Sequence, residues 1–312
     1  TIPPGSAAGV YSNTRDVIRV EEADQIIFRA VSVSSGTSAV ISSVNARWSS
    51  DNSVGLIGNA RQNSFQAASN TSFYSLFNDV LNPAEIGIQI PWPIGGTFSK
   101  LYFRSQTTQS INGTFDVTLR VNGVDSALTL SVPTAALLGI FSDPTNSVVV
   151  VAGDLINLVG INNGSANSCK WVNTMMRFSH ASNSSVIGGN IGARVTAGNT
   201  FWAAPFGKIE ITTATEADLA VPRDGILKNL HLRITAVGLT GGGLVFTLQV
   251  DGVDTPLEII VPDSQGAGNV ADTTHEVTVT KGQRIRIKVA NDGGGGSSNN
   301  MAGWAMELAV PA

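Results

Sequence analysis

Charge is scarce in this chain. Only 13% of its 312 residues are Asp, Glu, Lys or Arg, the net charge is -4, and no Lys/Arg run occurs anywhere. A phosphate-tracking surface needs clustered cations, so nucleic acid is excluded as an expected partner. Cysteine is nearly absent too. Cys169 stands alone, so neither an intramolecular disulfide nor a zinc site follows, and stability must come from packing. Long apolar runs are missing: none approaches the ~18 residues of a membrane span. Thr1-Ile2-Pro3-Pro4-Gly5 does not have the look of a signal peptide. Strong helix formers such as Glu, Lys and Gln are sparse, whereas Gly, Ser, Thr, Asn and Val are abundant, which is the balance of an all-β protein rich in turns.

What the chain does contain is a repeat. A gapless shift of 129 residues lays Asn70-Thr71 on Asn199-Thr200, Phe77 on Phe206, Pro93 on Pro222, Gly96 on Gly225, and Leu101 and Arg104 on Leu230 and Arg233. The same shift lays Val121 to Asp125 on Val250 to Asp254, Asp143 on Asp272, Thr145 on Thr274, and Gly153 and Ile156 on Gly282 and Ile285. Turn residues and apolar positions coincide; charged and loop residues differ. Two copies of one domain stand in tandem, and nothing in the match says that they share a site.

Each copy reads as strands. Phe115 to Val121 alternates apolar and polar residues, as do Leu244, Phe246, Leu248 and Val250, so one face meets a core. Asn122-Gly123 and Asp251-Gly252 end these runs and tolerate the positive φ angles of a type I′ hairpin, which predicts Val117, Leu119, Leu248 and Val250 buried. Returning strands follow, and a second strand-turn-strand unit is centred on Gly153-Asp154 and Lys281-Gly282-Gln283. The expected fold is all-β: tandem antiparallel β-sandwiches of jelly-roll type, with residues 63–182 and 196–312 as the two domains. Residues 183–195, small and polar, read as a linker. Residues 1–62 read as an N-terminal arm or a partial third repeat, since Val17 to Phe28 has the pattern of Val148 to Leu158. A partial sandwich leaves strand edges unpaired and Val17, Ile26, Phe28 and Trp48 uncovered, which makes these four candidate subunit-interface residues.

The phrase Phe-x-Leu-x-Val-Asn/Asp-Gly-Val-Asp, then an apolar strand, then Val-x-Val-x-x-Gly-Asp/Gln-x-Ile, resembles the jelly-roll modules of bacteriophage fibre, spike and decoration proteins. It is similar also to the complement and tumour-necrosis-factor-like class. The resemblance spans Gly96 to Ile161 and Gly225 to Ala290. It implies a role in surface assembly or attachment, with frequent threefold packing.

Residues for chemistry are few. His180, His231 and His275 show no ligand spacing, and His231 alternates opposite Leu230 and Leu232, facing solvent. Cys169 reads as a buried, inert thiol. Asp125 and Asp254, and Asp143 and Asp272, recur as pairs; carboxylates so placed serve glycoside hydrolysis or calcium, or simply bond their own turns, and the turn reading is preferred. Trp171 and Trp304 recur late in each copy and read as packing rings, whereas Tyr74 and Trp92 have no aromatic counterpart and are candidate ligand or interface aromatics unless they fill one copy's core. No cofactor, metal or catalytic residue is expected. The resulting expectation is a non-enzymatic structural protein of a virion or extracellular assembly, self-associating as a homo-oligomer or with other subunits, located in the virion or at an extracellular surface. The alternative is a carbohydrate-binding or adhesin module that recognises surface glycans; a glycoside hydrolase or lyase is the third reading.

Overall fold

A computed structural model describes residues 54–66, 70–77, 81–106, 112–133, 138–164, 169–182, 184–190, 194–196, 198–206, 209–211, 214–236, 243–262, 265–291 and 298–310. The candidate interface residues Val17, Ile26, Phe28 and Trp48 lie outside them. The first repeat contains β1 (Val54–Gln66), β2 (Thr71–Tyr74), β3 (Leu81–Asn82), β4 (Ile90–Pro91), β5 (Gly96–Gln106), β6 (Phe115–Val121), β7 (Val124–Val132), β8 (Leu138–Val150), β9 (Leu155–Asn162) and β10 (Cys169–Ser179). The second contains β11 (Ser185–Asn190), β12 (Arg194–Thr196), β13 (Thr200–Ala203), β14 (Ile209–Ile211), β15 (Leu219–Ala220), β16 (Gly225–Ala236), β17 (Gly243–Val250), β18 (Val253–Pro262), β19 (Gly268–Asp272), β20 (Val277–Val279), β21 (Arg284–Asn291) and β22 (Ser298–Ala309). Single 3₁₀ turns, Glu85–Gly87 and Ala214–Ala217, sit at matching places.

Every strand pairing among the described residues is antiparallel. One sheet of the first repeat has the order β1-β10-β5-β8 and the other β3-β2-β9-β6-β7, with β4 against β9. The second repeat copies this as β11-β22-β16-β19, with β12 on β22 and β20 on β16, and as β14-β13-β21-β17-β18, with β15 on β21. First strand beside last, and the middle hairpin in the opposite sheet, is the connectivity of a jelly roll. The hairpins form where the turn pairs require: φ is 54° and 79° at Asn122 and Gly123, and 51° and 86° at Asp251 and Gly252. Val117, Leu119 and Leu248 are buried. Val250, the last residue before its turn, is only partly buried against the core.

Three sequence-based expectations need correction. β1 runs across residue 62 and pairs with β10, so the first domain begins at or before Val54. Residues 183–195 are not a free linker: β11 and β12 supply the edge of the second domain by pairing with β22. A small, polar composition suits an edge strand packed close to other backbone as well as it suits a loop. Trp171 and Trp304 are not equivalent either. Trp171 lies opposite Ser105 and Trp304 opposite Leu232, and these partners occupy different steps of β5 and β16.

The two sandwiches touch. Val186 and Ala305 of the second repeat belong to the same apolar cluster as Phe77, Ile90, Trp92 and Phe178 of the first. β4 packs on β16 and β22, so the outer face of one second-repeat sheet covers an end of the first repeat. Close approach depends on glycine. A Cβ on Gly188 would come within 2.5 Å of Phe77 Cε2, and one on Gly303 within 2.8 Å of Ile90 Cγ1.

Candidate functional site

Tyr74 and Trp92 are 1% and 0% exposed. A ring without an open face cannot stack on a sugar or a partner, so their reading as ligand or interface aromatics is replaced by a packing role. Trp92 is the centre of an aromatic cluster: its ring lies 6.1 Å from Phe77, 4.9 Å from Phe98 and 5.1 Å from Phe178. The first repeat needs that ring because the seam with the second repeat closes over it; the matching residue, Val221, is buried too but small.

Of the recurring carboxylates, Asp143 and Asp272 are bonded into their own turns, as expected, whereas Asp125 and Asp254 are held by neighbouring side chains instead. Asp143 accepts the backbone N–H of Thr129, Thr145 and Asn146 and the Asn146 side-chain amide. Asp272 repeats this with the N–H of Glu258, Thr274 and His275 and with the His275 ring at 2.9 Å. Burial acts against the charge of Asp143, but the Asn146 bonds and the Thr129 amide outweigh it and hold the carboxyl below the usual range. The same balance, with the Thr274 amide and the His275 ring as its chief donors, lowers Asp272. Asp125 is ion-paired with Arg120, whereas Asp254 accepts from Gln249 at 2.6 Å and from Lys288 at 2.7 Å. Lys288 first, then Gln249, lowers the Asp254 carboxyl against its desolvation.

Gly153-Asp154 and Gly282-Gln283 show why an acid need not recur. Asn122 Nδ2 donates to Asp154 Oδ1 at 2.8 Å, and Asp154 Oδ2 accepts the Val151 N–H. In the second repeat acid and amide trade places: Gln283 Nε2 donates to Asp251 Oδ2 at 3.2 Å, and Gln283 Oε1 accepts the Thr280 N–H. The following strand is tied identically, Leu155 N–H to Asn122 Oδ1 and Arg284 N–H to Asp251 Oδ1. The bond pattern is retained while the charge moves from one partner to the other, which is the signature of a structural turn.

A shallow groove on the second repeat is lined by Glu258, Ile260, Val270, Asp272 and His275. Both of its acids are engaged: Asp272 by the turn, and Glu258 by the Thr247 hydroxyl at 3.3 Å. Among the described residues no three His, Cys, Asp or Glu side chains converge as a metal ion requires. Cys169 is buried near Ser105, and burial pushes its thiol up to about 11, so it stays protonated at neutral pH.

His231 departs from expectation. It does point away from the core of its own sandwich, between inward Leu230 and Leu232, yet it is only 8% exposed. Its cross-strand neighbour is Ala305, which lies in the first repeat's cluster, so His231 faces the seam. No protein atom bonds its Nε2. Desolvation lowers its proton affinity below that of free histidine. The seam itself was missed by sequence reasoning, and the available signal was glycine inside strand sequence at Gly188 and Gly303, where backbone or side chains approach closely.

No family model matches the chain, and no curated protein sequence does. Among solved structures it is similar to a xanthan lyase of Paenibacillus, at 13% identity and a TM-score of 0.26, over 69% of this chain and 22% of the lyase. So loose a superposition carries no argument. Among the described residues no helix is long and apolar enough to cross a membrane.

Proposed function

We propose that this chain is a non-enzymatic structural component of a virion or extracellular assembly, a homo-oligomer built from tandem jelly rolls. The observation that carries the reading is what recurs between the repeats: core positions, turn residues, and carboxylates engaged by neighbouring side chains or by their own turns. Conserved scaffolding around a changing surface suits a protein whose work is to present and pack surfaces. Apolar side chains left on that surface add support. Val124 and Val253, just past the matching hairpin turns, are each 68% exposed, and Val149 and Val151 are 73% and 60% exposed. Val124 and Val151 flank turns that the Asn122–Asp154 bond joins, so they share one end of the first sandwich. The glycan-binding alternative has lost Tyr74 and Trp92, the two rings on which it drew.

Light scattering and electron microscopy of the purified chain across a concentration series test the proposal. Concentration-dependent growth into particles of defined size is the expected result. A chain that stays monomeric to its solubility limit, or that degrades a polysaccharide in a manner lost in Asp125→Ala or Asp254→Ala, overturns it.

A further inference from the structure

Two of the chain's three histidines lie where the repeats meet. His180 is in the connection between β10 and β11: its Nε2 bonds the Ser184 carbonyl at 2.7 Å, its Nδ1 accepts the Ser182 N–H at 3.1 Å, and its ring stacks 5.8 Å from Phe178. His231 lies in the seam, buried and without a protein partner at Nε2. A proton on that ring would place a charge in an interface built from Ala305, Gly303, Ile90 and Pro91.

The groups around His231 give such a charge little compensation. On its own strand the outward neighbours are Lys228, paired with Glu276 at 3.6 Å, and Arg233, bonded to Asn269. On β22 the same face carries Glu307, whose oxygens are taken by Ser184 Oγ and Asn229 Nδ2. On β19 the opposite residue is Ala271. β11 contributes Val186, Gly188 and Asn190, with no ionisable group. From the first repeat, β4 and Gln89 bring none, and Glu85 of the nearby 3₁₀ turn is held by Arg120 at 2.6 Å. Among the described residues the three nearby carboxylates, Glu276, Glu307 and Glu85, are all engaged, so an imidazolium would meet no free counter-charge.

We propose that His231 makes the seam between the repeats acid-labile: on mild acidification its ring takes up a proton and the first repeat lifts from β16 and β22 while both sandwiches stay folded. This goes beyond the assembly reading, since it would hold for a monomer. The sign follows from linkage. Above the free-histidine value of about 6.5 the ring is neutral whether docked or undocked, and the seam is fully stable. As pH falls from there toward the lowered docked value, only the undocked form binds the proton, so docking weakens by up to about tenfold per pH unit for one proton. Below the docked value the loss stops.

Small-angle scattering of the full chain between about pH 7.5 and about pH 5 reads this directly. The radius of gyration should rise as pH drops while the far-UV circular dichroism is unchanged. His231→Gln, which cannot be charged, should stay docked throughout, and His180→Gln should keep the wild-type response. In the wild type, the His231 Cε1 proton resonance should titrate with the scattering transition, which guards against a variant that fails to fold. A pH-independent radius, a response that survives in His231→Gln, or a scattering midpoint apart from the His231 titration would overturn the proposal.

Discussion

The two repeats agree inside and differ outside, and the difference is sharpest on the outward side of β9 and β21. β21 alternates inward Ile285, Ile287 and Val289 with outward Arg284, Arg286 and Lys288. At the matching outward positions β9 carries Leu155, Asn157 and Val159, and the cation of that face is Arg120 of β6, lying 5.7 Å over the Phe73 ring. Both repeats nevertheless pin their 3₁₀ segment to the sheet by an acid and an arginine. In the first, Glu85 bonds Arg120. In the second, Asp218 bonds Arg284 at 3.3 Å and Arg286 at 2.9 Å. These residues do not correspond under the 129-residue shift, where Ala214 and Gln249 stand instead. The tie is a requirement of the fold, because a segment crossing the sheet must be held; the residues that make it are interchangeable.

The largest expected break in the comparison is at Trp92. Trp92→Ala should destabilise the first repeat by about 3–5 kcal/mol, and Val221→Ala the second by less, roughly 1–3 kcal/mol, in chemical denaturation followed by residue-specific signals from each repeat. Equal losses would show that Trp92 is not the keystone of its cluster.

Asp143→Ala and Asp272→Ala come next and should match one another, each removing a buried acceptor of several bonds at about 2–3 kcal/mol. Both carboxyls lie below their ordinary value in the folded chain. Their contribution is therefore complete above the unfolded aspartate value of about 3.9 and is lost as pH falls below it toward the folded values. Thermal midpoints recorded through that range should fall for the wild type and fall less steeply for Asp143→Asn. A flat wild-type profile would remove the shared role.

Arg120→Ala and Arg286→Ala test the tie itself, with roughly 1–2 kcal/mol lost in each repeat, since both arginines are mostly buried beside their acids. Loss in one repeat alone would mean the pins are not equivalent. The smallest effect belongs to the acid–amide exchange. Asn122→Asp or Asp154→Gln alone should destabilise by about 1 kcal/mol through a lost bond, and the double variant, which rewrites the first turn as the second, should recover most of it. Additive losses in that cycle would argue against a shared turn.

Much of this was open to reading in the chain. The repeat, the all-β class and both hairpins followed from alternation and from Asn122-Gly123 and Asp251-Gly252, because turn conformation and strand facing are local properties set by a few adjacent residues. Facing was correct even at His231, which does turn away from Leu230 and Leu232. Tertiary structure decided what lies on that side. Alternation gives a side chain's direction but not its neighbour, so a second sandwich docked there turned an outward histidine into a buried one. The same holds for Trp92, a ring without a counterpart that reads equally as ligand site or core until Ala305 and Val186 are seen to close over its cluster. Ser185–Asn190 and Arg194–Thr196 follow suit: they lie in a stretch that reads as a linker by composition, and they become an edge because β22 offers unpaired backbone groups some hundred residues later, a partner that no local window contains.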